Sequence, residues 1–228
     1  MNETPVETDT LGPTSRKPRL AVFGGSFDPI HNGHLFIAGE IIRRGLVDEV
    51  LFVPANTPPH KPVRYVSPAA MRLAMLQEVL EPYAEFSVSD IEVQRTEAPS
   101  YTFETMHMLA GIFPDHELSF LMGMDSLREL HQWHRAVELV SRFDLLIFPR
   151  PEVREPAFAE LSGHFGPRRA RALVNAILDM PSIPISATRI RAAVAAGQNL
   201  AGLVPDSVRT FIERQELYTE AEEITHSQ

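Results

Sequence analysis

Short apolar runs separated by stretches of helical spacing set the pattern of this chain. Residues 20–23, 50–53, 118–122 and 143–148 are mainly apolar and end in polar, glycine or proline positions, as buried strands do. Residues 86–93 alternate more weakly and 183–185 form a short apolar run; both are read as strands. Between these runs the apolar residues keep the period of a helix face. Leu35, Ala38, Ile41 and Ile42 make one such face, closed by Gly45. Leu73, Leu76, Val79 and Leu80 follow Ser67-Pro68, a helix-start pair, and Phe103, Met106, Leu109, Ala110 and Phe113 follow Thr102. Helices are also expected around 135–141 and over 168–178, 188–196 and 205–215. The stretch 152–180 otherwise carries little pattern.

Strands alternating with helices predict an α/β fold, a mostly parallel sheet with helices on both faces and a small helical C-terminal part. Ligands of such sheets bind beyond the carboxyl ends of the strands. Residues 1–18 are polar and proline-bearing and read as a disordered tail; 19–218 form the domain, and 219–228 a mobile tail.

Composition narrows the function classes. The 228 residues carry a net charge of -9, which argues against general affinity for nucleic acid. With no cysteine there is neither a disulfide framework nor thiolate chemistry. No stretch reaches the ~20 apolar residues of a membrane span, and the N-terminus lacks the apolar core of a signal peptide. A cytoplasmic protein without nucleic acid or membrane partners is expected.

The chemistry gathers at residues 24–35, GGSFDPIHNGHL, between the first strand and the first helix. Gly24 and Gly25 allow a phosphate close to the backbone. The helix start supplies N–H groups and a positive dipole end. His31 and His34 add donors able to carry charge. A plain strand-to-helix turn, a metal site on the two histidines and a dinucleotide fingerprint are the competing readings. The His spacing and the absence of G-x-G-x-x-G weigh against the last two, and the combination favours phosphate binding.

The motif resembles the H-x-G-H signature of the nucleotidyltransferase superfamily. Its fuller form, GG-x-FDP-x-H-x-GH, resembles the bacterial nicotinate-mononucleotide adenylyltransferase family. Further stretches agree in order: FVPANTPPHK from Phe52 to Lys61, PSYT from Pro99, GMDSL from Gly123 with Trp133, and ISATRIR from Ile185. Leu203-Val204-Pro205 and Leu217-Tyr218 agree as well, so the likeness spans about residues 20–218. It implies a Rossmann-like nucleotidyltransferase domain that transfers AMP from ATP to nicotinate mononucleotide, giving deamido-NAD and pyrophosphate. By this resemblance His31, His34 and Arg191 are catalytic. Gly24, Gly25, Ser26, Phe27, Ser186 and Thr188 join them in binding ATP. Trp133 stacks on the pyridine ring, Thr102 and the backbone N–H of His134 hold its carboxylate, and Asp125, Asn56, His60 and Lys61 complete the substrate set. Ala187 stands where the family usually has a second serine.

The attacking phosphate oxygen is already largely ionised near neutral pH, its second pKa being about 6, so no general base is needed. Magnesium is expected to ride mainly on the ATP phosphates and water, with no metal ligand assigned in the chain. Homo-oligomerisation is compatible with the sequence. The alternatives are a related transferase with nicotinamide mononucleotide or phosphopantetheine as acceptor, and a nucleotide-sensing module without turnover.

Overall fold

The computed structural model describes residues 16–56, 66–95 and 99–219. Five strands, β1 (Arg19–Gly25), β2 (Glu49–Pro54), β3 (Phe86–Val88), β4 (Glu117–Gly123) and β5 (Asp144–Phe148), form one parallel sheet in the order β3-β2-β1-β4-β5. The order reverses between β1 and β4. A crevice therefore opens beyond their carboxyl ends, the switch point where such sheets bind ligands.

Both faces of the sheet are buried, and alternate residues of each central strand enter different cores. Ala21, Phe23, Val50, Phe52, Leu121 and Phe148 face one layer. That layer holds helices α1 (Asn32–Arg43), α2 (Ala69–Leu80), α8 (Ala187–Ala195) and α9 (Asp206–Arg214). Leu20, Val22, Leu51, Val53, Phe120 and Met122 face the other. Helices α3 (Thr102–Ile112), α4 (Met124–Glu129), α5 (Ala136–Arg142), α6 (Phe158–Phe165) and α7 (Pro167–Asn175) cover it. Each fully buried Leu, Ile or Phe on these faces stabilises the fold by about 1.5–3 kcal/mol before the entropy of ordering it is subtracted. Among the described residues no helix is long and apolar enough to cross a membrane.

Helix α1 stops where the sequence says it should. Gly45 takes a left-handed conformation, Leu46 N–H donates to Ile41 C=O and Gly45 N–H to Ile42 C=O, the paired bonds of a glycine-terminated helix. Two strand expectations are corrected. Residues 183–185 are not a strand: the open edge of β5 is taken by 176–178, where Ile147 N–H donates to Ala176 C=O and Leu178 N–H to Ile147 C=O. Pro181 and Pro184, lacking N–H groups, suit 183–185 to the irregular path it follows over the crevice. The third strand ends at Val88, because residues 91–94 turn, with Gln94 N–H donating to Asp90 C=O. Helices α6 and α7 occupy the segment that carried little sequence pattern. At the other end, Arg16 pairs with Asp48 at 2.6 Å and Pro18 C=O accepts from Glu117 N–H.

Candidate active site

The crevice is a cleft of about 1050 Å3 lined by the ends of β1, β4 and β5 and the starts of α1, α3 and α8. Of the sequence-predicted residues it gathers Gly24, Gly25, Ser26, Phe27, His31, His34, Thr102, Asp125, Trp133, His134, Ser186, Thr188 and Arg191. Asn56 is not among the lining residues; its side-chain amide donates to Arg95 C=O and its N–H to Ser100 Oγ. His60 and Lys61 lie outside the described residues.

The two histidines differ physically. His31 is only 2% exposed, and its ring stacks on His34 with centroids 3.7 Å apart and planes 16° from parallel. Burial, reinforced by the Arg150 guanidinium, pushes its pKa down to about 3. His31 is therefore neutral near pH 7, so the charge that the sequence reading allows it is not carried by this ring. His34 Nδ1 accepts from the N–H of His31 at 3.3 Å, which leaves Nε2 as the ring nitrogen that donates. Phe27 and Phe23 meet the His34 ring edge-on at 5.1 and 5.7 Å.

The backbone at the start of α1 also departs from expectation. Asn32 N–H donates to Leu203 C=O, and the N–H groups of His34 and Leu35 donate to His31 C=O. Most helix-start donors are thus spent inside the protein. The glycines do more than admit a ligand. A Cβ on Gly24 would lie 3.1 Å from the Phe120 ring, and one on Gly33 would lie 3.0 Å from His31 Nδ1. Phe27 holds φ at 47°, a left-handed conformation that costs a non-glycine residue about 1–3 kcal/mol, at the point where the loop bends over the cleft.

Across the cleft, Ser186 caps α8, its Oγ accepting from Arg189 N–H at 3.3 Å. The ordinary capping role is therefore real; the hydroxyl proton still points to a second acceptor's use. Arg191 Nη1 donates to Asp28 C=O at 2.7 Å, fixing the guanidinium against the first loop.

A further group of lining residues is aromatic. Trp133 is half-buried, edge-on to Phe120 at 6.1 Å. Phe120 thus touches both the glycine loop and the tryptophan. Thr102 opens α3, and His134 stacks on Tyr101 at 4.5 Å, with Nε2 3.5 Å from Glu104 Oε1. Asp125 lies in the first turn of α4, not at its cap, and pairs with Arg150 Nε at 3.4 Å.

Three lining residues that sequence reasoning missed bear on the chemistry. Arg150 lies two residues beyond β5 and brings a cation beside Asp125 and His31. Its position after a buried strand, at the ligand edge, was a usable signal. Phe120 looked like any core residue. Glu92 is buried, accepts from Thr105 Oγ1 at 2.6 Å and is pushed up by desolvation; only tertiary structure brings it to the cleft. Among the described residues no three His, Asp or Glu side chains are grouped to hold a metal ion.

Comparison with known proteins agrees with this arrangement. Residues 22–193 match the cytidylyltransferase-like family model. A protein of Symbiobacterium thermophilum described as a probable nicotinate-nucleotide adenylyltransferase is 37% identical over 204 residues, covering 90% of this chain and 97% of its own. One of Exiguobacterium sibiricum with the same description is 40% identical over 200 residues, covering 88% and 98%. The solved structure of Plasmodium falciparum nicotinic acid mononucleotide adenylyltransferase complexed with NaAD superposes with a TM-score of 0.71 at 15% identity, over 90% of this chain and 98% of that one. At that identity the superposition speaks for the fold: a five-stranded parallel sheet with its cleft at the switch point. The sequence matches speak for kinship over nearly the full length, and the chain belongs to the nicotinate-nucleotide adenylyltransferase family.

Proposed function

We propose that the chain transfers AMP from ATP to nicotinate mononucleotide, with the residues of the cleft in the following roles. The observation that carries the reading is one cleft whose lining holds His31, His34, Ser186, Thr188 and Arg191 together with Thr102, Trp133 and His134. ATP lies with its α-phosphate against the histidines and its pyrophosphate toward Ser186, Thr188 and Arg191. The pyridine ring lies on Trp133, and Asp125 receives a ribose hydroxyl.

A phosphate oxygen of the mononucleotide attacks the α-phosphorus. The new P–O bond forms as the bond to the bridging oxygen of the β-phosphate breaks, and pyrophosphate leaves with the electron pair. No proton has to be removed from the nucleophile. The protein supplies positioning and charge compensation. His34 donates from Nε2 to an α-phosphate oxygen, and the Arg191 guanidinium meets the leaving group. Magnesium arrives with ATP as part of the substrate, held mainly by its phosphates and water. The acid is preferred over the amide because Thr102 and the His134 N–H would face a neutral group that leaves a donor unpaired, at about 1–3 kcal/mol per group.

The test is pyrophosphate release with ATP and magnesium across nicotinate mononucleotide, nicotinamide mononucleotide and phosphopantetheine. Release should be fastest with nicotinate mononucleotide by at least about tenfold, the factor equivalent to one lost hydrogen bond. Faster release with phosphopantetheine, or none with either pyridine nucleotide, rejects the assignment.

A further inference from the structure

Behind the glycine loop lies a buried polar bracket. Arg72 of α2 is 1% exposed, yet its guanidinium donates to four carbonyls: Ser67 at 2.8 Å, Ser26 at 2.7 Å, Ala55 at 2.6 Å and Asn56 at 3.2 Å. Asp28, 2% exposed, is held from three sides. Its Oδ1 accepts from the hydroxyl of Tyr218 at 2.7 Å, its Oδ2 from Ser67 N–H at 3.1 Å and its C=O from Arg191 at 2.7 Å. Tyr218 stands 190 positions further along the chain.

Between the two held residues sits Phe27 in its left-handed conformation. Such a backbone persists only where its surroundings over-determine it. Here Arg72 fixes the carbonyl on one side of Phe27, and Tyr218 with Ser67 fixes the side chain on the other. A charge buried as deeply as Arg72 is costly unless every donor is met. This one spends its donors on the loop of the cleft and on the end of β2, rather than on a carboxylate.

We propose that Arg72 and Tyr218 are positioning residues for adenylyl transfer: they clamp residues 26–28 from behind, and through Asp28 they set the placement of Arg191. The inference rests on the adenylyl-transfer reading for its consequence, but not for its geometry. Neither side chain meets the substrates in the proposed arrangement. Their effect runs through the loop, where a misplacement of about 1 Å costs turnover up to 10²-fold.

The experiment uses the full chain and two readouts. Hydrogen exchange of the peptide spanning residues 24–34 is measured by mass spectrometry on wild type, Tyr218→Phe and Arg72→Lys. Steady-state pyrophosphate release is measured on the same samples, well below their melting temperatures. Lysine keeps the charge of Arg72 but cannot reach four carbonyls with one ammonium. Val208→Ala trims the same core layer without touching the bracket, and serves as the stability-matched comparison. Exchange in 24–34 should rise in Tyr218→Phe and Arg72→Lys but not in Val208→Ala. kcat should fall by about tenfold in Tyr218→Phe and further in Arg72→Lys, with both KM values within about threefold. Unchanged exchange in 24–34 overturns the clamp. Faster exchange with kcat within twofold of wild type overturns its role in turnover. Wild-type turnover reports on adenylyl transfer by itself, and the exchange difference reports on the clamp by itself.

Discussion

Gly33 shows how much chemistry one absent side chain can carry. A methyl there would press on His31 Nδ1 at 3.0 Å and on Ile183 Cγ2 at 3.3 Å. The His31 ring would have to tilt out of its stack with His34. Gly33→Ala should therefore lower kcat by about 10–100-fold while the protein stays folded, since loss of alignment and not of binding is the damage; kinetics with a parallel melting curve check both halves. His31 also leaves a signature in stability. Its folded-state pKa lies near 3, well below the ordinary value of 6.5, so below pH 6.5 the unfolded chain binds a proton that the folded chain refuses. Above pH 6.5 this histidine contributes no pH dependence. From there down toward pH 3 the contribution is lost, by about 1.4 kcal/mol per pH unit at most. His31→Asn should flatten the fall of stability between pH 6.5 and 4.5, above the ordinary carboxylate range. Urea melts at closely spaced pH values read the slope, and an unchanged slope contradicts the neutral buried ring.

At the scale of elements, α8 carries a double duty. Its cap Ser186 accepts from Arg189 N–H, and the same residue lines the cleft. Ser186→Ala should cost about 1 kcal/mol in unfolding free energy, the usual value of a cap, and raise the KM for ATP more than that for the acceptor. A loss of stability with unchanged ATP kinetics would reduce Ser186 to its cap. Elements with strong periods were legible beforehand. The apolar stripes of α1, α2 and α3 and the runs of β1, β2, β4 and β5 need only local pattern to find. Residues 183–185 misled because an apolar doublet beside prolines has the composition of a strand, while the vacant sheet edge it would need belongs to 176–178. Helix α7 was half-hidden because its buried side is Ala170 and Leu173 among arginines, too narrow a stripe to read with assurance.

For the whole molecule, the decisive fact is that strand order reverses between β1 and β4. The glycine loop after β1 and the segment carrying Trp133, after β4, come from opposite sides of that switch, so they can be altered separately. Trp133→Ala should raise the acceptor KM at least about tenfold, in line with 1–3 kcal/mol for ring stacking, and leave the ATP KM within about twofold. Initial-rate kinetics with each substrate varied decide it; equal effects on both would move Trp133 out of the acceptor site. The motif residues of the cleft were readable because they follow strand ends and open helices. Arg72 was not, because an arginine on an amphipathic helix reads as a solvated charge until the carbonyls around it are known.

The bond from Asn32 N–H to Leu203 C=O bears on how portable the H-x-G-H segment is. Asn32 also sends its side-chain amide to Gly202 C=O at 2.9 Å, so the first turn of α1 is finished by a loop from the far end of the sequence. Residues 24–35 are consequently not a cassette. Transplanted onto the edge of another parallel sheet, they would bring both histidines but neither the carbonyl that closes their helix nor the loop that orients it. An engineer borrowing this site has to borrow residues 202–203 with it.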